Sequence, residues 1–229
     1  MLASLCFVIQ GGGIMAKYIL LDLDGTIINS ALGITKSAQY ALKKYGIEVE
    51  NLDSLRCFIG PPLPKSFMEY YGFDEATAQK AVEAYREYYV PTGIYENTLY
   101  PDIVEAIRKI KNAGKTVVLA TSKPTVFAKQ ILEYHKIADL FSFISGSKLD
   151  GGRSEKNEII QYVLDEMQIT DKHEVIMVGD RKHDIIGANK VGVSSVGVLY
   201  GFGDREEFEK AGAKWIVEEA KHLPEILLK

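Results

Sequence analysis

Long hydrophobic runs, cysteine and surplus positive charge are all scarce in this 229-residue chain, and each shortage removes a class of protein. No run of 18 or more apolar residues is present, so no stretch reads as a membrane-crossing helix. The two cysteines, Cys6 and Cys57, are too few and too differently placed for a disulfide framework, which leaves a reducing cytoplasm as the expected compartment. Lys and Arg number 27 against 31 Asp and Glu, a net charge of −4, so there is no basic excess with which to neutralise a nucleic-acid backbone. No Gly-x-Gly-x-x-Gly follows a strand, no P-loop string occurs, and the Gly11-Gly12-Gly13 triplet precedes its strand, the wrong order for a dinucleotide fingerprint. His135, His173 and His222 have no carboxylate or cysteine neighbours at metal-ligand spacing and read as surface or structural residues.

What is present is the composition of an ordinary globular protein, 47% hydrophobic and 25% charged, enough for one large domain or one with a small insert. Met1 to Gln10 is a short apolar stretch without a basic leader, a poor signal peptide. A Gln-Gly-Gly-Gly-Ile string ahead of Met15 is what a purine-rich ribosome-binding site would encode if translated, so residues 1–14 are expected to be an extension before a natural start at Met15. Codons for Gln10 to Gly13 without a GGAGG-like run would remove that hypothesis.

From Lys17 onward short β-branched apolar runs alternate with helical segments, the pattern of a parallel sheet with crossover helices. The expected strands are Tyr18 to Leu23, Thr116 to Ala120, Phe141 to Ser145, Val175 to Val178, Ser195 to Leu199 and Trp215 to Val217. Three of them are continuously hydrophobic, so both faces are covered, as in a doubly wound fold. Helices are signalled by Pro101 in a first turn with Gly114 as a stop, by Pro124, by Ser154 as a cap, and by Asp204 with Gly212. Between residues 30 and 100 the rhythm breaks into helical periodicity with many tyrosines, giving expected helices at Gly33 to Tyr45, Asp53 to Phe58, Pro64 to Tyr71 and Glu75 to Tyr89. The organisation expected is therefore a catalytic α/β core of residues 15–29 and 101–229 and a helical insert of 30–100, above the carboxyl ends of the strands where open α/β sheets bind ligands.

The sharpest feature is Asp22-Leu23-Asp24-Gly25-Thr26, directly after an apolar run. Two carboxylates so close at a strand end raise one another's pKa unless a cation is shared, which invites a divalent metal or a proton-sharing pair. An Asp-Gly turn after a strand is common on its own. A second pair arrives in Gly179-Asp180-Arg181-Lys182-His183-Asp184, again after an apolar run, although Gly-Asp there is also an ordinary helix cap. Thr121 and Lys156 offer a hydroxyl and an ammonium suited to a transferring phosphoryl group, but taken singly such residues are ordinarily solvated surface.

Taken in order, these segments resemble the haloacid dehalogenase superfamily, whose signature is Asp-x-Asp-Gly-Thr, a Ser or Thr after the next core strand, a Lys, and Gly-Asp-x-x-x-Asp. The match runs from Lys17 to the end, and the insert with Phe58-Ile59-Gly60-Pro61-Pro62-Leu63 resembles the helical cap of the phosphoglycolate phosphatase-like branch. The resemblance implies a Rossmann-like α/β core with a small α-helical cap and a Mg²⁺-dependent phosphatase acting on a small-molecule phosphate ester. Asp22 would attack phosphorus and become an aspartyl phosphate, and Asp24 would protonate the leaving group and then activate water. Thr121 and Lys156 would stabilise the phosphoryl oxygens; Asp22, Asp24 through its carbonyl, Asp180 and Asp184 would serve the metal. Leu23, Thr26, Gly60, Pro61, Ser122 and Arg181 would line the substrate or its phosphate, with Arg181 and His183 equally open to packing and capping roles. An Asp at 24 favours esters over halides or phosphonates. Phosphoglycolate is the first expectation, with a nucleoside monophosphate 5′-phosphatase, a phosphosugar mutase and a non-catalytic binding module as alternatives, and the protein is expected as a monomer or weak homodimer.

Overall fold

The computed structural model describes residues 16–150 and 152–229; the expected extension of 1–14 lies outside them. Two compact units result, one formed by residues 16–27 and Leu99–Lys229, the other by Ile28–Thr98. The chain passes between them through two short strands that pair with each other, β2 (Ile28–Asn29) and β3 (Thr98–Leu99), after leaving β1 (Tyr18–Leu21).

The first unit is built on six parallel strands in the order β5-β4-β1-β6-β7-β8, namely β4 (Thr116–Pro124), β5 (Phe143–Ser147), β6 (Val175–Gly179), β7 (Ser194–Val198) and β8 (Trp215–Val217) with β1. In register, Leu20 lies between Val118 and Met177, and these three share one apolar cluster with Ile159, Ile160, Val163 and Ala188. Those partners come from α6 (Lys156–Glu166) and α7 (Lys182–Val191), which pack on that face. Alternate residues point the other way, so Ile19, Leu21, Leu119 and Val178 face the opposite side and are equally buried. This two-sided burial is why the strands read as unbroken hydrophobic runs. There α4 (Ile103–Asn112) packs against β4 and against α9 (Leu223–Leu227). The remaining helices of the unit are α5 (Thr125–Tyr134) and α8 (Arg205–Ala211). Because β4 lies on one side of β1 and β6 on the other, the chain reverses its winding direction at β1, and the carboxyl ends of β4, β1 and β6 are where such a sheet binds ligands.

The second unit is helical: α1 (Ala31–Lys44), a 3₁₀ turn at Leu52–Phe58, α2 (Leu63–Tyr71), α3 (Glu75–Tyr89) and a 3₁₀ turn at Gly93–Tyr95. Small buried residues, Ala38 and Ala41 on α1 and Ala78 and Ala81 on α3, suit these two helices to pack together. Its aromatic centre is Phe67, edge-on to Phe58 at 4.7 Å and stacked on Phe73 at 5.8 Å. Tyr85 and Tyr89 stack within this unit as packing residues, whereas Tyr70 is exposed.

Several boundaries differ from the sequence reading for local reasons. The first strand stops at Leu21, because the chain turns at Asp22 to Thr26 and leaves the ladder. The second extends to Pro124, past an irregularity in its pairing with β5. Phe141 follows a 3₁₀ turn, so β5 begins at Phe143. Residues 52–58 wind as 3₁₀ rather than α-helix, with the Asn51 side chain accepting from Asp53 N. Pro101 lies in a turn before α4, and Glu155, not Ser154, caps α6, the Glu158 carboxylate reaching back to Glu155 N at 3.2 Å. Asp204 caps α8 as expected, accepting from Glu207 N at 2.8 Å. Among the described residues no helix is long and apolar enough to cross a membrane.

Candidate active site

Asp22 is still tied to the sheet, since its N–H donates to Val178 O at 3.0 Å. The chain then reverses: Leu23 O accepts from Thr26 N and Ile27 N, and Gly25 adopts φ +85°, which costs a β-carbon-bearing residue energy. A β-carbon at Gly25 would also stand 2.0 Å from Asp180 Oδ2, so the turn presses its backbone against that carboxylate.

Asp180 follows the end of β6 and is fully buried, its Oδ2 accepting from Phe202 N at 2.9 Å and its Oδ1 lying 3.5 Å from Thr26 Oγ1. Asp184 sits in the first turn of α7, where its Oδ2 accepts from Arg181 N at 3.1 Å, and Gly179 leaves room for it. Lys156, the first residue of α6, extends inward with a side chain only 3% exposed. Its Nζ lies 3.0 Å from Asp22 Oδ1 and 2.7 Å from Asp184 Oδ1, and donates to Ala120 O at 3.1 Å. The result is three buried carboxylates, Asp22, Asp180 and Asp184, each with an oxygen within 4.8 Å of the others.

One ammonium does not balance three buried carboxylates. Burial raises Asp22 to about 6, with Lys156 opposing and Asp184 adding to the rise. Asp180 is pushed well above the ordinary carboxylate range by burial and then by Asp184 and Asp22. For Lys156 burial disfavours the charge, but Asp184 and Asp22 outweigh it and its pKa rises. Asp22 Oδ1 and Asp184 Oδ1 are buried, with the Lys156 ammonium at 3.0 and 2.7 Å as the partner they share. A hard divalent cation would relieve this arrangement, and the all-oxygen donor set fits Mg²⁺.

The Asp24 carboxylate stands outside that cluster. Lys123 takes it instead, with Nζ 3.0 Å from Oδ1 and 2.8 Å from Oδ2. Thr121 is buried, bonds Asp22 through its side chain, and accepts from Lys123 N at 3.2 Å. Thr26 is buried against Asp180, and the Leu23 side chain is in the core, so only its backbone is available to a ligand. Ser122 is partly exposed on β4. Arg181 is engaged with Glu207, Nε to Oε1 at 3.1 Å. Gly60 and Pro61 belong to the helical unit, at the bend between the 3₁₀ turn and α2, with Gly60 at φ +103°. His135 caps α5 beside Tyr134, and none of the histidines joins the carboxylates.

Three contacts escaped the sequence reading. Lys123 follows Thr121 where the resembled family often has a lysine, which leaves its reach to substrate open in the sequence; its grip on Asp24 is what the sequence does not show. Phe202 contributes only its N–H, which no side-chain pattern reveals. Tyr200, whose hydroxyl donates to Thr26 O at 3.0 Å and whose ring meets Tyr100 at 5.0 Å, looked like any strand-end tyrosine.

This geometry has recognisable kin. The profile of the haloacid dehalogenase-like hydrolases matches residues 19–198. A 5′-nucleotidase of Pseudomonas aeruginosa is 46% identical over 82% of this chain and 85% of its own length. A tyrosine-protein kinase of Mycobacterium tuberculosis, PtkA, is 32% identical over 92% of this chain and 71% of its own. Among solved structures, one of a predicted phosphatase from Clostridium acetobutylicum superposes with a TM-score of 0.90 at 49% identity, covering 93% of this chain and 98% of that one. The chain belongs to the haloacid dehalogenase-like hydrolase family. As an enzyme it is a phosphoric monoester hydrolase.

Proposed function

We propose that the enzyme hydrolyses a small phosphate monoester through an aspartyl phosphate on Asp22, with Mg²⁺ held by Asp22, Asp180, Asp184 and the Asp24 carbonyl. The observation that carries this reading is the convergence of three buried carboxylates on one point, with the Lys156 ammonium in contact with two of them. When bound, the cation would screen the repulsion between the anionic ester and the carboxylates.

The chain's own residues supply the rest. Asp22 follows the carboxyl end of the central strand β1, its backbone tied to β6, and would be the carboxylate that attacks phosphorus. Thr121 and Lys156 would bind the equatorial oxygens, the hydroxyl and ammonium resisting the charge that builds there. Asp24 would give a proton to the leaving oxygen, then take one from the water that cleaves the acyl phosphate, returning Asp22 to its carboxylate. Asp184 would hold Lys156 in place through their 2.7 Å contact. Leu23 N–H, Thr26, Ser122 and Arg181 complete the proposed phosphate surroundings, and the helical unit with Gly60 and Pro61 is proposed as a substrate-reading cap.

For the substrate, a nucleoside 5′-monophosphate is placed ahead of phosphoglycolate, because the 46% identical relative is a 5′-nucleotidase. A cytoplasmic monomer or weak homodimer without a nucleic-acid partner accords with the net charge of −4 and two cysteines. The test is phosphate release from nucleoside monophosphates, phosphoglycolate and p-nitrophenyl phosphate, with Mg²⁺ or EDTA, beside Asp22→Asn. Release indifferent to both EDTA and the substitution would overturn the mechanism, and transfer of the phosphoryl group to a tyrosine rather than to water would overturn the hydrolase assignment.

A further inference from the structure

Lys123 has no part in the chemistry above, yet it is nearly as buried as Lys156. Its side chain is 6% exposed and its ammonium occupies both oxygens of Asp24, whose side chain is 14% exposed. The lysine is firmly rooted. Its N–H bonds Thr121 Oγ1, and its carbonyl packs so closely on β5 that a β-carbon at Gly146 would stand 2.2 Å from it. Asp24, by contrast, sits in a turn two residues from Asp22, and its negative charge would draw it toward the same cation as Asp22, Asp180 and Asp184. An ammonium that engages both oxygens fixes the carboxylate's orientation and keeps it out of that cluster.

The charge count agrees. With Asp24 in its resting, ionised form, Asp22, Asp24, Asp180 and Asp184 bring four negative charges, Lys123 and Lys156 return two, and a single divalent cation closes the balance; Asp24 takes up the proton it donates only as the anionic ester binds. The two lysines divide the work: Lys156 serves the attacking carboxylate, and Lys123 the other.

We propose, resting on the phosphatase reading, that Lys123 is a positioning residue. It holds the Asp24 carboxylate apart from the metal-binding carboxylates and in place to exchange a proton with the leaving oxygen. General acid assistance matters most where the leaving oxygen is a poor one, so a residue that acts through Asp24 has a signature that a merely structural residue lacks.

The experiment measures kcat and KM, with Mg²⁺, for the full chain on p-nitrophenyl phosphate and on phenyl phosphate, whose leaving oxygen is more basic. Lys123→Met is expected to lower kcat on phenyl phosphate by about 10²-fold, with a much smaller loss on p-nitrophenyl phosphate and little change in KM. Lys123→Arg, which can still grip a carboxylate with two bonds, should recover most of the loss. Asp24→Asn should show the same preference for the better leaving group, and adding Lys123→Met to it should cost little more, because the two act as one unit. Equal losses on both esters would overturn the proposal, as would a raised KM with unchanged kcat, the mark of a direct substrate contact. Should Lys123→Met not fold, the same ratio read from Lys123→Gln decides. A wild-type enzyme inactive on both esters would instead refute the phosphatase reading itself.

Discussion

The two units bury different kinds of polar group. In the helical unit the buried polar side chains are hydroxyls, Ser30, Thr35, Ser37 and Ser66, while ion pairs such as Lys44 with Glu87 lie on the surface and Lys36 with Glu96 is only half-buried. In the α/β unit the buried set includes Asp22, Lys123, Lys156, Asp180 and Asp184. Burying a hydroxyl beside a helix carbonyl costs little, as with Ser37 on Gly33 O at 2.6 Å. Burying three carboxylates around one ammonium costs several kcal/mol unless another cation arrives. The helical unit is thus built for its own stability, whereas the α/β unit gives up stability to hold a reactive charge arrangement.

The largest expected effect would break this contrast outright: Asp22→Asn should reduce phosphate release on the order of 10⁴-fold or more, measured by steady-state kinetics with Mg²⁺. In the helical unit the corresponding extreme is a packing change. Phe67→Ala removes a ring with no exposed surface and should cost about 3–5 kcal/mol in urea unfolding, with lost hydrogen-exchange protection concentrated in residues 28–98.

Two glycines sharpen the comparison further. Gly46 and Gly25 both have positive φ, +75° and +85°, but only Gly25 faces a neighbour. Gly46→Ala should cost about 1 kcal/mol, the backbone penalty alone, while Gly25→Ala should cost about 2–4 kcal/mol and weaken Mg²⁺ binding measured by calorimetry. Equal costs would mean that Asp180 is not pressed against the turn.

Asp22 and, in the same direction, Asp180 contribute to the pH dependence of the metal-free protein, and the Asp22 share can be isolated by substitution. The pKa of Asp22 rises from 3.8 unfolded to about 6 folded, so the folded state holds the proton more tightly. That stabilisation is complete below about pH 4 and is lost as pH rises through 6, a change of at most about 3 kcal/mol at about 1.4 kcal/mol per pH unit. Metal-free Asp22→Asn should therefore melt higher than wild type at pH 7.5, and the gap should shrink toward pH 4.5; a gap independent of pH would argue against buried charge as its source. The smallest effect belongs to the surface: Lys44→Ala should change stability by less than about 0.5 kcal/mol and leave kcat unaltered.

Much of the fold is legible in the sequence because two-sided burial leaves a direct trace. Ile19, Leu20 and Leu21 must each be apolar, and the six sheet strands can be found from such runs. The two-residue strands β2 and β3 have no such trace, since they are ordered only by pairing across a gap of some seventy residues. Local cap preference points to Ser154 at the start of α6, but the Glu155–Glu158 pairing outcompetes it.

At the site, the carboxylates Asp22, Asp180 and Asp184 are legible as residues following strand ends, whereas Thr121 and Lys156 are nominated by the resemblance of the ordered segments to one family. Which charges pair was a different question. That Lys156 bridges Asp22 and Asp184 while Lys123 takes Asp24 depends on distances of about 3 Å between residues well separated along the chain. Sequence alone determined which residue types stand at the strand ends, since covalent order and hydrophobic period are written in it. Only the tertiary structure decided how those charges are apportioned, because electrostatic pairing is set by separation and burial, and neither exists until the chain has folded.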